Sequence, residues 1–251
     1  MYVERYGAGP RLWLGLHGWS GDHRTFEPLA RYLPEGVALY APDLPGCGKS
    51  PPPGSWTLAS ILRQLLDLVA RLATPPMVVI GNCSGAILAL CLAQQLRRQG
   101  RSGAIERLVL IDPFAYWPWY FRVFASPRIG RYAFACSFGN PVGRRLINLA
   151  LVSKRRADTD LTEGFASVST DVALAWLRIL REIETVHVFA DLDLPVRILH
   201  GARTFEAVRR SLYVFRKMWP QLEVRVIEGA GHLPLREAPQ QVAASIESEA
   251  V

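Results

Sequence analysis

The sequence predicts one α/β domain, with a mostly parallel central sheet flanked by helices and a helical block inserted late in the sheet. Three observations predict it. Short apolar runs bounded by turn residues alternate with helical periodicity through the first 112 residues. From 113 to 194 that alternation stops, and strand-like runs return from 195 onward. The 251 residues are half apolar and one-fifth charged, enough for a single large core rather than a disordered chain.

The elements follow in order. Residues 12–16 read as a buried strand ending at His17-Gly18, and a helix is expected near 26–33. A strand over 37–40 ends at Pro42-Asp43. The next segment, 57–72, is amphipathic, with Leu58, Ile61, Leu62, Leu65, Leu66 and Val69 on one face. Residues 77–80 form a strand, 86–96 an apolar helix, and 108–111 another strand. Strands at 196–200 and 224–227 and a helix near 239–247 complete the pattern. The division is therefore a core of 1–112 and 195–251 with a cap of 113–194.

Composition excludes several classes. No apolar run approaches the roughly 20 residues that span a bilayer, and no signal peptide is evident behind Met1-Tyr2-Val3-Glu4-Arg5. Cys47, Cys83, Cys91 and Cys136 show neither paired C-x-x-C spacing nor disulfide density, so a reducing, cytoplasmic setting is expected. Cys47, Cys91 and Cys136 read as small core residues. The net charge of +7 is carried mostly by arginine, in short clusters such as Arg97-Arg98, Lys154-Arg155-Arg156, Arg209-Arg210 and Arg216-Lys217. These are too interrupted for a nucleic-acid tract; they read as solvated surface, or as steering for an acidic carrier protein or coenzyme A.

The chemistry concentrates at Gly81-Asn82-Cys83-Ser84-Gly85, between a strand and a helix. A G-x-Nuc-x-G turn holds its third residue at a strained backbone position, and its glycines relieve crowding. Cys83 is the nucleophile in this reading; Ser84, at the fourth position, contributes a backbone N–H. Gly46-Cys47-Gly48-Lys49-Ser50 ends like a phosphate-binding loop, but Asp43 stands where its first glycine belongs and Pro51-Pro52-Pro53 follows, so nucleotide binding is excluded. His23, His187 and His200 lack carboxylate or cysteine partners at metal-ligand spacing, and neither a metal nor another cofactor is expected.

Taken together, the elbow, His17-Gly18-Trp19 after a strand, Asp43-Leu44-Pro45-Gly46-Cys47-Gly48-Lys49-Ser50 after the next, and Gly229-Ala230-Gly231-His232 after the last resemble a capped α/β hydrolase over nearly the whole chain. The resemblance implies His232 as the base of Cys83 and backbone N–H groups of Trp19 and Ser84 as the oxyanion hole, with His17 shaping that loop. Two departures stand out. Most members carry serine at the elbow, whereas dienelactone hydrolases and polyhydroxyalkanoate synthases, which the chain resembles here, use cysteine. The usual acid position after His200-Gly201-Ala202-Arg203 holds Thr204. Asp112, at a strand end as in haloalkane-dehalogenase-like relatives, and Glu206 are the two substitutes; Asp112 is preferred because a strand end fixes a carboxylate better than a new helical turn.

The segment after Asp112 is densely aromatic. Phe114, Tyr116, Trp117, Trp119 and Tyr120, with Trp19 and Phe26, either pack the cap or wall a lipophilic pocket. The expected activity is hydrolysis of an ester or thioester of a fatty-acyl or polyketide-like substrate through acyl-Cys83, in lipid or secondary metabolism. Acyl transfer, cyclisation or carbon–carbon cleavage on the same residues, and a silent ligand-binding role, are the alternatives.

Overall fold

The computed structural model describes residues 1–72, 76–183 and 185–248; the parts of the predicted core and cap at 73–75, 184 and 249–251 lie outside the described residues. Seven strands form one sheet: β1 (Val3–Gly7), β2 (Arg11–Leu16), β3 (Val37–Pro42), β4 (Met77–Asn82), β5 (Ile105–Ile111), β6 (Val196–Gly201) and β7 (Glu223–Ile227). Their order is β1-β3-β2-β4-β5-β6-β7, and every pair is parallel except β1 with β3. The antiparallel edge strand β1 was not expected from the sequence, because its Val3-Glu4-Arg5-Tyr6-Gly7 lacks an apolar run. It is held instead by its register against β3, Val3 facing Pro42 and Gly7 facing Ala38.

The helices are α1 (Leu58–Leu72), α2 (Ser84–Arg98), α3 (Trp119–Phe124), α4 (Gly130–Ser137), α5 (Pro141–Ala150), α6 (Thr170–Arg181), α7 (Glu206–Met218), α8 (Pro234–Glu237) and α9 (Pro239–Glu247). The segment expected as a helix near 26–33 is a 3₁₀ helix, His23–Tyr32, that contains Pro28. A proline lacks the N–H that an α-helical interior requires, and the tighter winding accommodates it. Its N-cap Asp22 accepts a hydrogen bond from the Arg24 N–H.

Central strands carry the core. All six residues of β4 are buried, as are five of six in β2, the continuous apolar reading expected of a parallel sheet covered on both faces. One core cluster packs α1 and α2 on one face through Ile61, Leu65, Leu88 and Leu92; another packs α9 and the first 3₁₀ helix on the other through Phe26, Leu29, Val242 and Ile246. Between β5 and β6 the described residues contain helices and turns without a strand. Those helices gather around Phe134, Phe165, Ala173, Leu174 and Leu177.

Strand order reverses at β2, which has β3 on one side and β4 on the other. Open parallel sheets bind ligands outside the carboxyl ends of their strands at such a reversal. Here Leu16 lies beside Gly81, so the loop after β2 and the turn after β4 meet at that crevice.

Candidate active site

Cys83 sits directly beyond β4, with φ 53° and ψ −116°, and is followed at once by α2. That backbone position is strained for a residue with a Cβ. It is held by the Cys83 N–H donating to the Ile111 carbonyl at 2.8 Å, which continues the β4–β5 pairing past its end. The glycines explain themselves by contact: a Cβ on Gly85 would lie 2.1 Å from the Leu16 carbonyl oxygen, and one on Gly81 would lie 2.4 Å from the Ala86 Cα. The elbow requires glycine because the sheet and helix leave no room.

Beside it, His17 is buried and its burial pushes its pKa down. Its Nε2 accepts from the Leu44 N–H at 2.9 Å, so the neutral ring carries its proton on Nδ1 and donates to the Gly18 carbonyl at 2.9 Å. This bond braces the Gly18-Trp19 loop. The N–H groups of Trp19 and Ser84 donate to no partner among the described residues, and Ser84 begins α2, where the helix dipole favours negative charge.

Asp112 follows β5 with φ 48° and is fully buried. Its Oδ2 lies 2.8 Å from His232 Nδ1 and accepts from the Thr204 hydroxyl at 2.6 Å, and its Oδ1 accepts from the Gly201 N–H at 3.2 Å. Thr204, at the position where an acid was expected, therefore buttresses the carboxylate that faces the histidine. Glu206 stands elsewhere: it opens α7, is exposed, and pairs with Arg209 and Arg210 at 3.4 and 3.2 Å.

The His232 side chain is only 12 % exposed. Burial opposes its protonation, but hydrogen bonds to Asp112 and Cys83, and their charges, outweigh burial and push its pKa up to about 10. The ring is flanked by Phe205, with centroids 4.4 Å apart, and by Phe114 at 5.9 Å. Two supports of this loop went unnoticed in the sequence. The Lys154 carbonyl, on the segment between β5 and β6, accepts from the His232 N–H at 2.8 Å. A Cβ on Gly231 would strike that oxygen at 2.0 Å. Buried Glu237 accepts from the Gly231 N–H, and also from the Arg156 N–H and the Thr159 hydroxyl, each at 2.7 Å. These contacts span 78 to 81 residues of sequence for the last two, and no local pattern announces them.

Two cavities meet at Cys83. A narrow one of about 60 Å³ is lined by Ile87, Phe114, Trp117, Leu177, Leu180 and Val186, among others. A larger one of about 1370 Å³ contains Cys83, His232, Tyr120, Phe205, Ile147 and Arg236 in its wall. Tyr116 lines the narrow cavity and Tyr120 the larger one, where burial pushes its phenol pKa up. Trp119 corrects the sequence reading: it is 75 % exposed and lines neither cavity, because α3 turns it outward beside Tyr120. Trp19 lines both cavities, yet its ring is also a packing hub, donating from Nε1 to the Ala173 carbonyl at 2.8 Å and lying edge-on to Phe165 at 4.7 Å. Phe26 is wholly buried beneath the sheet and lines neither.

Three further residues differ from expectation or add to it. Cys136 is exposed rather than in the core, whereas Cys47 and Cys91 are buried, and burial pushes both of those thiols up to about 12. His23, without a carboxylate partner in sequence, gains one by folding: Asp43 Oδ1 accepts from its N–H at 2.6 Å and lies 2.7 Å from its Nδ1. Asp22 completes a buried trio, but its oxygens are occupied by Arg24.

A sequence model of the alpha/beta hydrolase family matches residues 14–245. Among characterised relatives, Lipase LipV of Mycobacterium tuberculosis is 36% identical over 114 residues, which cover 45% of this chain and 41% of that lipase. The pimeloyl-[acyl-carrier protein] methyl ester esterase of Aromatoleum aromaticum is 26% identical over 254 residues, covering 92% of this chain and 95% of the esterase. Among solved structures, a thermophilic esterase from Thermogutta terrifontis superposes with a TM-score of 0.74 at 22% identity, covering 98% of this chain and 90% of that one. No helix among the described residues is long and apolar enough to cross a membrane.

Proposed function

This chain belongs to the alpha/beta hydrolase family, and within its esterase- and lipase-like relatives we propose that it cleaves an ester or thioester of a lipophilic acyl group through an acyl-Cys83 intermediate. The observation that carries the reading is Cys83 itself, a cysteine at the strained elbow that shares its cavity with a histidine oriented by a buried carboxylate. Residues 113–194 act as a cap, and its aromatic residues Phe114 and Trp117 with Leu177 and Leu180 supply an apolar wall for the acyl chain. The larger cavity receives the alcohol or thiol portion.

In the first half-reaction His232, whose raised pKa favours its charged form, already holds the proton drawn from Cys83, and Cys83 Sγ attacks the carbonyl carbon. The N–H groups of Trp19 and Ser84 receive the oxyanion at the α2 N-terminus. Collapse breaks the bond to the leaving oxygen or sulfur, which takes its proton from His232. In the second half-reaction His232 removes a proton from water, the hydroxide adds to acyl-Cys83, and collapse releases the acid and returns the proton to sulfur. Asp112 keeps the ring oriented and stabilises its charged form throughout.

Intact-protein mass spectrometry tests the reading. After brief exposure to acyl-thioesters and activated esters of graded chain length, native protein should gain the acyl mass on Cys83, or turn the ester over. Cys83→Ala should do neither. Full turnover by Cys83→Ala would end this mechanism, and turnover yielding an acyl-transfer product without free acid would replace hydrolysis by transfer.

A further inference from the structure

The stretch 119–156 contains Arg122, Arg128, Arg131, Arg144, Arg145 and the run Lys154-Arg155-Arg156, and no acidic residue at all. It forms α3, α4, α5 and a short 3₁₀ turn, and neighbouring helices in this series pack on one another. Arg131 pairs with Asp171 at 2.6 Å and Arg156 with Asp158 at 3.3 Å, whereas Arg122, Arg128 and Arg145 form no ion pair among the described residues. A concentration of cations without anions repels itself unless something negative lies against it.

The same stretch also exposes apolar side chains. On α5, Val142, Leu146 and Leu149 are 68, 61 and 61 % exposed. Their spacing of four and three residues sets them on one helix face, with Arg145 among them. Large exposed aliphatics in a row cost free energy when only water covers them. Ile129 and Tyr132, at the start of α4, and Val152, just after α5, are also more than half exposed.

The opposite side of α5 faces the reaction. Ile147 and Leu151 line the larger cavity that reaches Cys83. Asn148 is buried and anchors the helix through its amide to the Thr162 hydroxyl at 2.8 Å. One helix thus presents apolar residues both outward, amid unpaired arginines, and inward to the cavity.

We propose that the outer face of α5, with the arginines of α3 to α5 around it, docks this protein on an anionic lipid surface. Aliphatic side chains protruding from a helix can enter the boundary between headgroups and acyl chains, while arginines at the same level meet phosphate groups. A lipid surface adapts to protruding side chains, whereas a folded protein partner must supply a matching groove for each. Docked this way, α5 stands between the lipid and the larger cavity, which gives an acyl substrate a short path to Cys83. The docking is a binding property and is separable from the acyl chemistry.

Flotation with vesicles tests it directly. The native protein should float with phosphatidylglycerol–phosphatidylcholine vesicles at low salt, not with pure phosphatidylcholine vesicles, and should detach as salt is raised. Each unpaired arginine should contribute about five-fold in partitioning, so R122Q/R128Q/R145Q together should lose about a hundred-fold. V142S/L146S/L149S leaves the charge unchanged and should also abolish flotation, with an unaltered thermal melt showing that the fold is intact. Cys83→Ala should float like the native protein, so a failure of the catalytic reading leaves this result standing. No flotation with the anionic vesicles would overturn the proposal. So would flotation that the serine variant leaves unchanged, which marks mere adsorption of a basic protein. A dimer in gel filtration that the same serine substitutions dissolve would reassign the face to a second copy, and saturable binding of an acidic carrier protein without vesicle binding would reassign it to that partner.

Discussion

Replacing Asp112 by asparagine probes the candidate site most sharply. The substitution keeps the volume and one acceptor oxygen but removes the charge from a fully buried position that His232, Thr204 and Gly201 all address. The rise in the His232 pKa from 6.5 to about 10 corresponds to about 5 kcal/mol in favour of the charged ring. That sum is what remains after burial has worked against it, and Asp112 and Cys83 share it by hydrogen bond and by charge. Asp112→Asn removes the opposite charge in contact with the ring, so the His232 titration should move down by about 1 to 3 pH units. Loss of both the charge and the correct ring orientation should lower kcat/KM on a soluble activated ester by about 10² to 10⁴. The readouts are the pH–rate profile and the NMR titration of the His232 ring protons, compared between native and variant. An Asp112→Asn protein whose His232 still titrates near its native midpoint, or whose kcat/KM stays within about three-fold of native, would refute the assignment. Glu206→Gln is the companion variant; its exposed carboxylate is already paired with Arg209 and Arg210, so it should change kcat/KM by less than about two-fold.

Other expectations follow from the same contacts. Thr204→Val removes the 2.6 Å hydroxyl donor to Asp112 in a site with no solvent to replace it; chemical denaturation should show a loss of about 2 kcal/mol. Thr204→Ser should recover most of it, and equal stability of the valine and serine variants would deny the bond any role. Because the folded-state pKa of His232 lies above its ordinary 6.5, its contribution to stability is complete below about 6.5 and is lost as pH rises toward about 10. Within that window native stability should fall relative to His232→Gln by about 1.4 kcal/mol per pH unit, and a flat difference between the two unfolding series would contradict it. Gly85→Ala would set a methyl 2.1 Å from the Leu16 carbonyl oxygen; the melting temperature should drop by more than about 5 °C, and a fully stable alanine variant would show that β2 and α2 can separate.

Much of the architecture was legible because it is periodic or local. Apolar runs, continuous in the central strands and interrupted by arginine in β6 and β7, marked six of the seven strands. The strand β1 escaped because an edge strand is stabilised by its pairing with β3 rather than by its own apolarity. The helix near residue 26 was legible as an apolar periodic segment, but Pro28 made it 3₁₀.

The site divides along the same line. By itself the sequence determined the elbow at Cys83, the loop at His17-Gly18-Trp19 and the histidine at 232, since each is a short motif attached to a strand end and strand order carries strand ends to one edge of the sheet. Tertiary structure alone decided which carboxylate faces the histidine. The sequence preferred Asp112 to Glu206 as a strand-end carboxylate, but the 2.8 Å approach of Asp112 to a residue 120 positions away is a product of packing. It also decided that Trp19 is shared between cavity wall and packing hub, that Trp119 points outward, and that Lys154 and Glu237 brace the histidine loop from distant segments. Chain-local patterns encode which face of an element is apolar. They do not encode the distance between side chains that only the packing of separate elements brings together.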